Sequence, residues 1–431
     1  MCGIAGVWNV QDAFSVLHDL LLGLQHRGQE SVGIVLNNFR VLKGRGLVEQ
    51  VLTEENWLES ERGIGHVRYS TAGSLEEIQP LVAFTKKGKI AIAHNGTIPD
   101  AEAWIRSLQE RGAVFQSTLD SEIFLHLISM SSGDAKEAIV EALKRVKAAY
   151  SLVVLHEGFL AAARDPYGIR PLFYGKYRGG FVVASEDSAL KAIGVEEIKE
   201  VPRGSVVFFE EGEEVVEFEK REERFCSFEF IYFARPDSSF LGENVHKARC
   251  KMGEELFAEN PIEADLVIPV LDSGLSGALG FSRASGIPLD VGLMRNRYMG
   301  RSFIMPVNRE KIVKKKLVPI GDVIKGKRVV VIDDSIVRGT TMSIIVNILR
   351  EAGAKEVYVG IHSPPVRYPC YYGIDTARKQ ELVASEKDVE EVKRLVNADS
   401  LFYLSLEGLK RAIGRSELCV ACFNGEYPHL K

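Results

Sequence analysis

The nine residues Asp333-Asp334-Ser335-Ile336-Val337-Arg338-Gly339-Thr340-Thr341 bring together two acids, three hydroxyls, an arginine and a glycine. Before them runs Val329-Val330-Val331-Ile332, a β-branched stretch that predicts a short strand buried on both faces. The acids then stand at the carboxyl edge of a parallel sheet, where open α/β sheets bind ligands. After them Ile344, Ile345, Ile348, Leu349 and Ala352 mark one face of a helix that Gly353 stops. The loop is therefore a helix start. Its unpaired N–H groups, positive dipole end and hydroxyls suit a phosphate, and Gly339 permits close backbone approach. The acids suit sugar hydroxyls or a hard cation that takes oxygen ligands. Alone, two acids at a strand end are an ordinary solvated pair; the whole string describes a site for a ribose 5-phosphate carrying a metal-bound group.

A second chemistry opens the chain. In Met1-Cys2-Gly3-Ile4-Ala5-Gly6-Val7, loss of Met1 puts a thiol and a free α-amine on one residue. Reference pKa values of about 8.5 and about 7.7–8.0 let that amine accept the thiol proton near neutral pH, with no histidine required. His94-Asn95-Gly96-Thr97 reads as a turn that can aim an amide and a backbone N–H at an oxyanion. Read singly, Arg68 is a surface charge, Asn95-Gly96 a hairpin turn and Asp120 a helix cap. The third group is sulfur. Cys419-Val420-Ala421-Cys422 is a C-x-x-C, and Cys226 and Cys370 complete a set of four. Four thiolates favour zinc or an iron–sulfur cluster, and spacing does not decide between them.

These groups need elements to position them, and Phe14, Leu17, Leu21 and Leu24 predict a helix ahead of Gln25-His26-Arg27-Gly28-Gln29-Glu30-Ser31. Gly63 to Thr71 predicts a strand presenting Arg68 at its end, Lys89 to Ala93 a strand emptying into the Asn95 turn, and Leu119 to Glu122 a helix start. Leu152 to Leu155, Phe181 to Ala184 and Ser205 to Phe209 add strands, and acids crowd Glu210 to Glu223, where a domain boundary is placed near residue 220. Leu266 to Val270 is a second buried strand, opening into Leu271-Asp272-Ser273-Gly274, a small-residue turn that suits a pyrophosphate. Arg295 to Lys316 holds eight Lys or Arg and one acid, which by itself reads as a solvated face or an RNA-binding run.

A chain of 431 residues with 46% hydrophobic content supports two or three domains with their own cores. Net charge of -5 implies no global attraction to nucleic acid or anionic lipid. The absence of a long apolar run and of a signal-peptide pattern predicts a soluble, cytoplasmic protein without membrane association. Six cysteines are too few for a disulfide scaffold at this length.

The nine-residue loop resembles the phosphoribosyl pyrophosphate (PRPP) loop of type I phosphoribosyltransferases, in the form found in the glutamine PRPP amidotransferase family. The N-terminal strings, in their order, resemble the class II, N-terminal-nucleophile glutamine amidotransferases. The resemblance runs from Met1 to about Pro428. It implies an α+β N-terminal-nucleophile hydrolase domain of four αββα layers over residues 1–220, followed by an α/β type I phosphoribosyltransferase domain with a cluster-binding C-terminus over residues 221–431. The implied reaction converts glutamine, PRPP and water to phosphoribosylamine, pyrophosphate and glutamate, the first committed step of purine synthesis.

Carried over by position, the resemblance makes Cys2 the nucleophile with its own amine as base, and Asn95 and Gly96 the oxyanion hole. Arg68 binds the glutamine carboxylate, Asp120 its amino group, and Tyr232 lies near the glutamine end. Arg297, Tyr298 and Arg301 belong to a flexible loop over PRPP. Asp333, Asp334, Ser335, Arg338, Gly339, Thr340 and Thr341 bind PRPP, with Ser273, Asp333 and Asp334 beside Mg2+. Cys226, Cys370, Cys419 and Cys422 match the cluster-containing branch, implying a structural 4Fe-4S cluster in preference to zinc. Purine nucleotide feedback inhibitors and a homotetramer or dimer are further family expectations, and nucleic acid is not a partner. Thr97-Ile98 and Leu119 stand where many relatives have Asn-Leu and Ser, Arg295 where Lys is common, and Met1 alone precedes Cys2 where many cluster-containing relatives carry a propeptide. Cys250 matches no role. Glucosamine-phosphate and asparagine synthases share the first chemistry but lack the 333–341 loop. A non-catalytic PRPP- or nucleotide-binding sensor would bind ligand and release no glutamate.

Overall fold

The computed structural model describes residues 1–69, 77–296, 317–374, 376 and 378–429. Strand Gly3–Trp8 lies inside a seven-stranded antiparallel sheet, between Gly180–Ala184 and Arg62–Arg68. A six-stranded antiparallel sheet contains Gly88–Thr97 beside Ala149–His156. Period-two alternation sorts the side chains. Ile4, Trp8, Ala91, Ala93, Val153 and Leu155 pack between the two sheets, while Val7 and Val182 turn outward to helix Ala13–Gly23, and Ile90, Ile92 and Leu152 to helices Glu122–Met130 and Ala135–Arg145. The result is helix, sheet, sheet, helix, as expected from the resemblance.

One local expectation fails here. His94 to Thr97 is not a turn: the strand runs on through Asn95 and Gly96, which pair with Ser151 and Tyr150. The partner strand is long enough to capture them, and it comes so close that a Cβ at Gly96 would stand 2.1 Å from the Ala149 carbonyl oxygen. Only glycine fits that contact. Asp120, in turn, does not cap the helix after it; its Oδ2 accepts the Ile98 N–H at 2.8 Å.

The second half is a parallel sheet in the order Leu266–Pro269, Arg328–Asp333, Glu356–Ile361, Ser400–Tyr403. Val330 and Ile332 face helices Val245–Glu259, Leu275–Ser285 and Leu406–Ile413. Val329 and Val331 face helices Thr340–Glu351 and Val389–Val396, so the strand is covered on both sides as its composition requires. Phe225–Cys226 pairs in parallel with Leu418–Cys419, tying the start of this half to its end. The halves share one apolar cluster in which Phe173 packs against Phe240 at 5.9 Å between ring centroids.

At the centre of that junction lies a wholly buried ion-pair set. Arg27 donates to Glu186 at 2.5 Å and to both oxygens of Glu229 at 2.8 and 3.0 Å. Burial alone would raise the Glu186 pKa; His26 and Arg27 outweigh it and hold the carboxyl well below the usual range. Its contribution to stability is therefore present above the ordinary carboxyl pKa of about 4.3 and is lost only as pH falls toward the depressed folded value. Arg27→Met strands both carboxylates and is expected to cost about 3–5 kcal/mol at neutral pH, measured as a lowered midpoint in urea with an unchanged slope.

Candidate functional site

The start of strand Gly3–Trp8 and the ends of strands Arg62–Arg68 and Gly88–Thr97 come together at one end of the two sheets. There the Cys2 backbone N–H donates to Asn95 Oδ1 at 3.2 Å, and Cys2 Sγ lies 3.6 Å from the Tyr69 carbonyl oxygen. Asn95 Nδ2 is buried and has no partner among the described residues, which is the state of a donor placed for a ligand oxygen. Arg68 is buried and one of its guanidinium nitrogens holds the Glu77 carbonyl. Asp120 is buried beside His94, whose Nδ1 meets Ser121 Oγ at 2.9 Å. His66 is neutral at pH 7, its pKa driven down to about 3 by burial and then by the Arg68 charge. Arg27 and Glu229 carry no sequence signature of a role, although Arg27 sits in the Gln25-His26-Arg27-Gly28 string. Its Nε donates to the Cys2 carbonyl at 3.0 Å. Only the fold shows that the next contact of that guanidinium is an acid some two hundred residues away.

From Glu229 the main chain and its hydrogen bonds lead on toward the parallel sheet. Glu229–Phe233 forms one wide helical turn, and Arg249 clasps it, Nε donating to the Phe230 carbonyl at 2.6 Å and Nη2 to the Ala234 carbonyl at 2.9 Å. Burial lowers the Arg249 pKa to about 10, leaving it charged at pH 7. The Ile231 carbonyl lies 3.5 Å from His362 Nε2, and the His362 N–H donates to the Asp333 carbonyl at 3.1 Å. Tyr232 is half-exposed on the same turn, edge-on to Phe233.

At the far end, Asp333 and Asp334 are both buried at the carboxyl edge of the sheet. Asp333 Oδ1 accepts from Ser273 Oγ at 3.0 Å and from the Asp334 N–H at 2.9 Å; Ser335 Oγ donates to Asp334 Oδ2 at 2.5 Å. Burial and then the neighbouring Asp334 charge push the Asp333 carboxyl well above its ordinary value. A divalent cation relieves that strain and finds the hard oxygen donors it prefers, so the residues fit magnesium. Gly339, at φ +77°, precedes helix Thr340–Glu351, where Thr340 and Thr341 are exposed, and Arg338 pairs with Glu381 through Nε at 3.0 Å. Arg295 pairs with Asp272 at 2.6 Å. Arg297, Tyr298 and Arg301 lie outside the described residues.

The four cysteines named above also meet. Cys226 and Cys419 are register partners, the Tyr372 N–H lies 3.4 Å from Cys370 Sγ, and the Cys422 carbonyl accepts the Arg367 and Tyr368 N–H groups at 2.9 and 3.1 Å. None is in a disulfide. Burial first, then the charges of the other three thiols, pushes the Cys422 thiol far up. Among the described residues no three His, Cys, Asp or Glu side chains group tightly enough for a single ion. Cys226, Cys419 and Cys422 are buried and Cys370 is half-buried, and four thiolates so placed have the chemistry to ligate zinc or an iron–sulfur cluster. Cys250 stands apart on helix Val245–Glu259, its Sγ 3.7 Å from His246 Nε2.

Residues 66–192 match the model of the glutamine amidotransferase domain family. An amidophosphoribosyltransferase of Pyrococcus horikoshii is 49% identical over 436 residues, covering 99% of this chain and 96% of that one. The corresponding protein of Methanocaldococcus jannaschii is 43% identical over 459 residues, covering 99% and 98%. Among solved structures, the glutamine PRPP amidotransferase of Bacillus subtilis complexed with ADP and GMP superposes with a TM-score of 0.93 at 42% identity, over 99% of this chain and 97% of that one. No helix among the described residues is long and apolar enough to cross a membrane. A Cys2–Asn95 site and a paired-acid site in one chain, and likeness of that extent over the full length, lead to one conclusion: the chain belongs to the amidophosphoribosyltransferase family.

Proposed function

We propose that the chain forms phosphoribosylamine, pyrophosphate and glutamate from glutamine, PRPP and water, with residues 1–220 freeing ammonia and residues 221–431 consuming it. The observation that carries this reading is the connection from the Cys2 carbonyl through Arg27 to Glu229, along the main chain to the Ile231 carbonyl, and through His362 to the Asp333 carbonyl. Once Met1 is removed, the Cys2 amine takes the thiol proton and the thiolate attacks the carboxamide carbon. Asn95 Nδ2 and the Gly96 N–H receive the charge on oxygen, ammonia leaves, and water then releases glutamate from the thioester. Arg68 and Asp120 hold the two charged ends of the amino acid, and Tyr232 closes that end. Ammonia reacts at C1 of PRPP only while neutral, so passage along the apolar side of the 229–233 turn keeps it from bulk protonation.

Ser273, Asp333 and Asp334 would hold magnesium, which when bound neutralises the departing pyrophosphate. Ser335, Arg338, Gly339, Thr340 and Thr341 cradle the 5-phosphate, and Arg297, Tyr298 and Arg301 cover the pyrophosphate. Cys226, Cys370, Cys419 and Cys422 would hold a 4Fe-4S cluster as a structural staple. Purine nucleotides as inhibitors, a homo-oligomer of four or two chains and a cytoplasmic location complete the reading. The test is anaerobic glutamate release with and without PRPP, together with an iron and zinc count. Release that rises with PRPP and about four irons per chain are expected. Release indifferent to PRPP would end the proposed coupling, and stoichiometric zinc would overturn the cluster.

A further inference from the structure

Arg170 has no part in the reaction just derived, yet it is wholly buried where the glutaminase half, the cysteine site and the oxyanion strand meet. Its Nε donates to the Tyr372 carbonyl at 2.8 Å, and Nη2 reaches the same oxygen. Nη1 lies 3.8 Å from Glu229 Oε1. Next to it in the chain, the Ile169 carbonyl accepts the Cys226 N–H at 3.2 Å. Tyr372 links Arg170 to Cys370, its carbonyl holding the guanidinium while its N–H lies 3.4 Å from Cys370 Sγ. The loop that carries Cys370 is wedged between Arg170 and the oxyanion strand. At Gly373, where φ is +109°, a Cβ would stand 3.2 Å from the Gly96 carbonyl carbon and 3.4 Å from an Arg170 guanidinium nitrogen. Backbone therefore rests on backbone, with the guanidinium fixing the outer side.

We infer that Arg170 is a positioning residue that presses the Cys370–Gly373 loop against Gly96 and sets a permanent positive charge beside Cys226, Cys370 and Cys419. The first half of this inference needs no metal; the second rests on the cluster reading. A buried set of thiolates keeps its charge only with a partner, and a guanidinium fork pinned to the Tyr372 carbonyl is such a partner. An oxyanion donor displaced by a fraction of an ångström forfeits much of its effect, so the same guanidinium governs the glutaminase rate without touching glutamine.

The test uses full-length Arg170→Lys and Arg170→Gln protein, purified anaerobically beside the unaltered enzyme. Product is measured with glutamine and with free ammonia, iron and sulfide are counted, and the visible absorbance is followed in air. Glutamine-driven kcat is expected to fall about tenfold or more in both variants with KM for glutamine little changed, while the ammonia-driven rate stays within about twofold and certifies the fold. The absorbance is expected to decay faster in Arg170→Gln than in Arg170→Lys, which keeps the charge. An unaltered glutamine-to-ammonia ratio in Arg170→Gln, or a parallel loss of both rates in Arg170→Lys, overturns the positioning role. Equal decay of Arg170→Gln and the unaltered enzyme overturns the charge role. If the unaltered enzyme carries no iron, the cluster reading fails, and the rate ratio alone decides Arg170.

Discussion

Cys2→Ala is expected to lower glutamine-driven product formation by at least about 10^4-fold while leaving the ammonia-driven rate within about twofold. The size follows from the chemistry, because the substitution removes the only atom that forms the thioester and leaves the oxyanion donors to act on an unactivated water. The selectivity follows from the geometry. Two main-chain groups hold residue 2, its N–H on Asn95 Oδ1 and its carbonyl on Arg27 Nε, and only the 3.6 Å approach of Sγ to the Tyr69 carbonyl belongs to the side chain. Alanine keeps both, so the run through Glu229 into the second half is undisturbed. Steady-state rates with each nitrogen source, on protein checked by its urea midpoint, give the answer. Loss of both activities in a folded protein, or of neither, would refute the division of labour.

Asp333→Asn should produce the complementary pattern: both nitrogen sources fail, each by about 10^3-fold, while PRPP-independent glutaminase activity survives. Asp333 is buried beside Asp334, and its carboxyl is held well above its ordinary pKa by that burial and that neighbour. For an acid whose folded pKa is raised, the native state binds the proton more tightly, so stability declines as pH rises from the unfolded toward the folded value. The asparagine cannot ionise. At neutral pH in the absence of magnesium the variant is therefore expected to melt higher than the unaltered protein, by about 2–4 °C for each kcal/mol relieved. Enhanced stability with lost synthesis marks a carboxylate kept for ligand binding rather than for folding. A variant that melts lower, or that still makes product with ammonia, would mean that Asp333 is structural.

The two chemistries were legible before any fold was known because each lives in a short string. Asp333 to Thr341 contains its own strand end, phosphate loop and helix start, and the structure keeps that order from strand Arg328–Asp333 to helix Thr340–Glu351. Cys2 needs only to be first in the mature chain to own both thiol and base. The same locality misled at Asn95-Gly96, where asparagine followed by glycine signals a turn. Strand Ala149–His156 overrode that preference by pairing on past Gly96 to Thr97, a contact that no local pattern contains.

What the string of residues determined by itself was which groups are available for chemistry, since an N-terminal thiol, a side-chain amide, paired acids and four further cysteines are set by residue type and close spacing. What only the tertiary structure decided was how they communicate. Arg27, Arg170 and Glu229 carry no local signature, because a charged side chain in a sequence predicts a solvated one. They become the junction of the molecule only when strands and helices drawn from distant parts of the chain close over them, exclude water and bring the charges within reach of one another.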